Sequence, residues 1–170
     1  LNRTRSDYYV GNFTPHMFTN GFDSGSSLNS WLEDPKKYLN TVSTYEISAK
    51  GSRLDSDLSI EVTTSNLKNS DDSSDIRLFV AAVMARVIYP GSFNGMYEHH
   101  NVVIEQLLGN SGKQIQYIAN SDYMESFNWS IPQSWKNNSE IRWSAGNLKI
   151  VVWIQDYRSK EILQSAEFKF

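Results

Sequence analysis

Two adjacent histidines, His99 and His100, are the residues whose type most directly suggests chemistry, because neutral imidazole is a common metal ligand. Their spacing argues against a shared ion. Neighbours on a strand point to opposite faces and neighbours on a helix stand about 100° apart, whereas chelation wants i,i+2 on a strand or i,i+4 on a helix. With Val102, Ile104 and Leu108 taken as the inward face, His100 is expected at the core edge as a hydrogen-bonded structural histidine, with His99 facing out. The run Asp71-Asp72-Ser73-Ser74-Asp75 carries hard oxygen ligands but lacks the glycine and fixed spacing of a dedicated calcium loop, so it reads as a solvated connection. The chain has no cysteine, which removes disulfides, thiolate metal sites and cysteine nucleophiles. There is no nucleophile elbow and no glycine-rich phosphate cradle, and three histidines do not assemble into a recognisable Ser-His-Asp set. The expectation is a protein that is not an enzyme, with no catalytic residue, no metal and no cofactor.

The aromatic residues are the better candidates for ligand contact, since Trp and Tyr on a sandwich face hold sugars in many binding modules. Phase sorts them. Trp129 alternates in register with Phe127 and Ile131, and Trp143 with Ile141, which marks both as core. Trp153 shares a face with Val151, opposite Ile150, Val152 and Ile154, and is expected under another segment. Trp31, Trp135 and Tyr157 are left as the aromatics expected to be exposed, and they form the candidate binding set.

The elements that must position these residues change character near Thr41. Before it, one helix is expected, capped by Ser27 or Ser30 and carrying Trp31, Leu32, Tyr38 and Leu39, with Pro35 in a position suited to a first turn. This segment is too small to close a core, so the following domain or another chain must hold it. From Ser43 the pattern becomes period-two runs bounded by turn residues. Tyr45 to Ala49 alternates until Lys50-Gly51-Ser52 breaks it, and Leu58 to Thr63 alternates until the polar stretch from Asn66. Ile76 to Ile88 reads as a long strand, apolar on both faces at Phe79 to Val83, ended by Tyr89-Pro90-Gly91. Val102 to Leu108 is strand or short helix, Gln114 to Ala119 a short strand, and Phe127 to Ile131 a strand stopped by Pro132. Leu148 to Asp156 and Glu161 to Phe168 flank Tyr157-Arg158-Ser159-Lys160 as a hairpin. The sum is a mainly β fold, an antiparallel immunoglobulin-like sandwich of about seven to eight strands, preceded by a short strand-turn-helix segment.

Length and charge agree. The 170 residues suffice for one packed domain with room for a partial second unit. A net charge of -3 from sixteen basic and nineteen acidic residues, with no long block of one sign, excludes a nucleic-acid partner. The apolar run Leu78 to Ala85 is far short of the roughly 20 residues that span a bilayer. The chain begins at Leu1, as a mature product or a piece of a longer chain would. Asn-x-Ser/Thr patterns at Asn2, Asn12, Asn128 and Asn137 arise readily in a chain this rich in Asn and Ser.

The stretch "RLFVAAVMARVIYPGSFNGMYEHHNVVIEQLLG" and the later "LKIVVWIQDYRSKEILQSAEF" resemble the C-terminal part of the twenty-eight-kilodalton outer-membrane-protein-related lipoprotein family of Bacteroidota. The closing hairpin, with Gln155-Asp156, Lys160-Glu161 and then Ile162 to Ala166, is the most specific part. Relatives often carry an Arg soon after the strand entered at Tyr97 to Val103, where this chain has Ile104-Glu105. The resemblance implies an exported protein at the outer membrane or cell surface, touching the membrane only through an upstream lipid anchor. It also implies an immunoglobulin-like sandwich at 43–170 behind a partial thioredoxin-like tail or docking segment at 1–42. "VGNFTPHMFTNG" is similar to the proline loop of the thioredoxin fold: Thr14-Pro15, cis by analogy and structural in role, then His16 to Thr19 as a strand and Asn20-Gly21 as the turn.

Three functions are carried forward. The first is a non-catalytic cell-envelope module that binds or associates structurally, with residues 1–42 meeting a protein partner or the chain's own upstream domain. The second is a carbohydrate- or peptide-binding sandwich with a glycan as partner, and the third is the downstream part of a thiol-disulfide oxidoreductase whose active-site half lies upstream.

Overall fold

The computed structural model describes residues 7–9, 16–68, 75–92, 95–118 and 121–169. Thr14-Pro15, Asn2, Asn12 and most of the acidic run at 71–75 lie outside the described residues. Among the described residues, ten strands are arranged as a small hairpin and two antiparallel sheets. The hairpin pairs β1 (Met17–Thr19) with β2 (Phe22–Gly25). One sheet orders β3 (Tyr45–Leu54), β4 (Asp57–Asn66) and β8 (Tyr123–Ser130). The other orders β10 (Ile162–Phe168), β9 (Leu148–Asp156), β5 (Ile76–Ile88) and β6 (Glu98–Gln106), with β7 (Lys113–Gln114) also pairing to β5. Residues 43–169 thus hold eight strands facing one another as a β-sandwich.

The alternation read from sequence becomes the core directly. Leu58, Ile60 and Val62 of β4 meet Leu78, Val80, Ala82 and Met84 of β5 and Ile150, Val152 and Ile154 of β9, all buried in one cluster. Phe127, Trp129 and Trp143 pack against it partly buried. Fully burying one such aliphatic side chain contributes about 1.5–3 kcal/mol, so these rows dominate the stabilisation.

Several boundaries differ from expectation. The strand read at Gln114 to Ala119 shortens to Lys113–Gln114, because beyond it the chain turns inward, Ile115 and Tyr117 being buried in the core, and leaves the ladder. The strand read at Phe127 to Ile131 starts earlier, at Tyr123, where it pairs with Thr64 of β4. Lys50-Gly51-Ser52 does not break β3, because Gly51 pairs with Ile60 in an uninterrupted ladder. The reversal comes at Asp55-Ser56, where Asp55 takes φ +51°, a left-handed position that Asp tolerates in a two-residue hairpin loop. The expected helix at 27–39 divides into α1 (Leu28–Glu33) and a 3-10 helix (Asp34–Tyr38) that starts around Pro35. Pro35 has no N–H to continue an α-helical ladder, and it sits in the first turn of the tighter helix where none is needed.

Strand β5 is apolar on both faces for two separate reasons. Its inward residues fill the sandwich core, while Phe79, Ala81 and Val83 on the opposite face are buried as well. There the Phe79 ring lies 5.0 Å from Trp153 at 4°, and 6.4 Å from Tyr157. The N-terminal segment completes this outer layer through Tyr8, Tyr9 and Phe18.

Candidate functional site

All three aromatics expected to be exposed are half-buried, and Tyr157 has both ring faces covered. It follows β9, and its ring is stacked by Tyr8 at 4.5 Å and 17° and covered by the Arg77 guanidinium at 3.6 Å. Two planar groups at these distances occupy opposite faces of one ring. The Tyr8 hydroxyl donates to the Tyr157 carbonyl at 2.6 Å, and the fully buried Gln155 amide donates to the Tyr9 hydroxyl at 2.6 Å and to the Lys160 carbonyl at 2.6 Å. Arg77 is fixed in turn by both oxygens of Asp75, at 3.0 and 2.9 Å. That pair holds the Asp75 carboxyl below its ordinary range and pushes the Arg77 guanidinium up. The cluster is a lock between the N-terminal segment and the β9–β10 turn, and Tyr157 presents no open ring face.

Trp135 and Trp31 stand elsewhere. Trp135 lies on α2 (Gln133–Lys136), packs against the core, and meets Trp143 edge-on at 6.4 Å, with the Trp143 indole donating to the Trp135 carbonyl at 3.1 Å. Arg142, next to Trp143, pairs with Ile88 at one end of β5, whereas Tyr157 donates to the Asp75 carbonyl just before the other end. Thirteen residues of strand separate those ends, roughly 40 Å. Trp31 is half-buried on α1, its indole N–H donating to the Gly25 carbonyl at 2.8 Å. The structure does not bring the three together.

The histidines exchange their expected places. Asn101 adopts φ +55°, so alternation counted back from Val102 fails before it reaches His100. His100 does not sit at the core edge: its side chain is 62% exposed, with Nε2 3.0 Å from the Glu98 carboxylate. His99 is half-buried instead.

Two surfaces that the sequence reading passed over remain open. On the outward face of the β3–β4–β8 sheet, polar side chains line up across the strands: Ser52, Ser59 and Asn128 in one row, and the ion-paired Lys50 and Glu61 with Ser126 in the next. Depressions of about 410, 390 and 430 Å³ follow one another along this face. The second surface is a cleft of about 370 Å³ where residues 38–45, Lys68 and Asn20 face the edge of β10 from Glu161 to Ser165. Its floor is tied down by three bonds: Ile162 N–H to the Asn20 carbonyl, the Ser43 hydroxyl to the Leu163 carbonyl, and the Gln164 amide to the Tyr45 carbonyl. The polar half of each alternating strand signals the first surface. Nothing local signals the cleft, which is assembled from four stretches distant in sequence.

No protein-family model and no curated protein sequence matches the chain. Among solved structures it is similar to a domain of the outer membrane lipoprotein Omp28 from Porphyromonas gingivalis, with 14% identity and a TM-score of 0.52 over 76% of this chain and 90% of that one. It is also similar to short portions of two Bacteroides uniformis enzymes. The beta-glucuronidase match has 14% identity and a TM-score of 0.36 over 71% of this chain and 12% of that one. The match to beta-glucuronidase 2, covalently bound to cyclophellitol-6-carboxylate aziridine, has 13% identity and a TM-score of 0.34 with the same coverages. At such identities the likeness is one of fold.

Proposed function

We propose that the chain is a non-catalytic β-sandwich module of the cell envelope, located outside the cytoplasm at the outer membrane or cell surface, which works by binding or structural association within a larger surface assembly. The observation that carries this reading is the shared fold with the outer-membrane lipoprotein domain, 90% of which is covered. Membrane attachment would come from an upstream lipid anchor.

Residues 1–42 are the part proposed to meet a protein partner or the chain's own upstream domain. Support comes from Phe22, Leu28, Leu32, Leu39 and Val42, large apolar side chains that this segment leaves exposed. Scattered exposed leucines are ordinary, but five within this short stretch suit a contact surface. The order strand, Asn-Gly turn, strand and helix over 17–33 fits the tail of a thioredoxin-like unit, which belongs to the same proposal.

A second reading, carbohydrate binding, is favoured by the open hydroxyl-rich sheet face and by the cleft beside β10. The envelope reading is tested by fractionating cells that express the natural full-length protein, with metabolic labelling by a fatty-acid analogue. Recovery in the outer-membrane fraction with lipid label is expected. Recovery in the cytoplasmic fraction would overturn it.

A further inference from the structure

Among the described residues many charged side chains are ion-paired, as Lys50 is with Glu61, Arg86 with Glu98, Lys113 with Glu125 and Lys149 with Glu167. The cleft beside β10 instead gathers polar groups without such pairs. Tyr38, Thr41, Thr44, Lys68, Glu161 and Ser165 all line it, and among the described residues none of their side chains makes a hydrogen bond or an ion pair, Tyr38 meeting only the charge of the neighbouring Lys37. Leu67 N–H donates to the Thr44 carbonyl at 2.8 Å, which brings Lys68 alongside the hydroxyls of 41–44.

We propose that this cleft is a binding site for a neutral saccharide. Its volume of about 370 Å³ lies at the small end of ligand pockets, and such sites concentrate where two structural units meet, as the N-terminal segment and the sandwich do here. Lys68 and Glu161 cancel in charge, so the cleft has no net field to attract an anion or a cation. The lining is suited to a polyol, whose hydroxyls both donate and accept: Lys68 only donates, Glu161 only accepts, and Tyr38, Thr41, Thr44 and Ser165 do either. The half-buried Tyr38 ring supplies an apolar face against which sugar C–H groups can lie. A peptide adding as a strand to β10 is disfavoured, because the outward backbone groups of Ile162 and Leu163 are already engaged by Asn20 and Ser43. Recognition is left to side chains on a fixed backbone floor.

This inference deepens the carbohydrate reading, and it fails separately from the envelope reading, since fractionation does not probe the cleft. The test is a titration of the whole chain, isotope-labelled for amide NMR, with glucose, galactose, mannose and N-acetylglucosamine, their β-linked disaccharides, and the zwitterion glycylglycine as comparator. At least one saccharide is expected to give saturable shifts confined to amides at 38–45, 67–68 and 161–165. Lys68→Met and Glu161→Gln, both at exposed positions, are each expected to weaken that binding about tenfold with unchanged thermal unfolding. Silence across the panel, saccharide shifts centred on the β3–β4–β8 face, affinity in both variants unchanged from that of the parent chain, or preference for glycylglycine would each overturn the proposal.

Discussion

Replacing Gly21 by alanine tests whether the N-terminal segment is held by the contacts seen at the β9–β10 turn. A Cβ at Gly21 would stand 1.7 Å from the Lys160 carbonyl oxygen and 2.6 Å from its carbon, where real Cβ atoms keep beyond 3.0 Å. Both atoms are backbone, so no rotamer change relieves the clash and the turn must retreat by roughly 1.3 Å. That retreat takes the Asn20 carbonyl with it, and the 3.2 Å bond from Ile162 N–H is lost, at a cost of about 0.5–1.5 kcal/mol. The residue also sits at φ +88°, where an L side chain adds about 1–2 kcal/mol. The expected destabilisation is about 1.5–3.5 kcal/mol, before any loosening of Tyr8 and Tyr9. Gly25→Ala is the control: its φ of +64° carries the conformational cost, but its Cβ would meet nothing within 4 Å. Urea denaturation followed by tryptophan fluorescence gives both values, and hydrogen exchange at 16–38 reports the undocking. Equal costs for the two variants, within about 0.5 kcal/mol, would refute the docking argument.

Three further substitutions probe the other load paths. Because Arg77 sets the folded Asp75 pKa below its unfolded value, the pair stabilises the fold above about pH 4 and that contribution is lost as pH falls through the folded value. Asp75→Asn is expected to remove that part of the acid limb in urea midpoints measured against pH, and an unchanged limb would count against it. Burial pushes the Tyr117 hydroxyl up to about 12, so its contribution is complete below about pH 10 and is lost as pH rises towards 12. Tyr117→Phe should abolish that alkaline loss and cost about 1–2 kcal/mol at neutral pH, since the fully buried Thr64 hydroxyl loses its 2.8 Å partner; a neutral result at both pH values would be contrary. Trp135→Ala is expected to cost about 2–3 kcal/mol in thermal unfolding by stripping the core-packed side of Trp143, and a loss below about 0.5 kcal/mol would show the ring idle.

Much of the fold was readable because it rests on a short-range pattern. Ile76–Ile88 and Leu148–Asp156 come out with the bounds their apolar runs imply, and Asn20-Gly21 turns where its residue types say it must. The departures occur where one backbone angle resets the count. Asn101 at φ +55° inverts the two histidines, and the ladder across Gly51 overrides its weak strand propensity. The candidate sites were less readable for a different reason. Phase distinguishes inward from outward residues but not what covers an outward one, so Tyr157 read as exposed although Tyr8, nearly 150 positions away in the chain, lies on it.

The two outer faces of the sandwich show how one composition serves opposite ends. On β5 and β9 the outward positions are Phe79, Ala81, Val83 and Trp153, too apolar to leave in water, and the chain closes over the Phe79–Trp153 end with Tyr8, Tyr9 and Phe18. On β3, β4 and β8 the outward positions are mostly polar, among them Ser48, Lys50, Ser52, Ser59, Glu61, Ser126 and Asn128 beside the exposed Met124, and need little cover. A lock of aromatic stacking with only a few hydrogen bonds is easier to open than either sheet, because its loss exposes a few rings and breaks no ladder. The cleft beside β10 lies on that seam, bordered by Asn20 and residues 38–45 on one side and Glu161 to Ser165 on the other. A ligand bridging the two sides would therefore raise the free energy of opening by RT ln(1 + [L]/Kd), coupling binding to the attachment of residues 16–42.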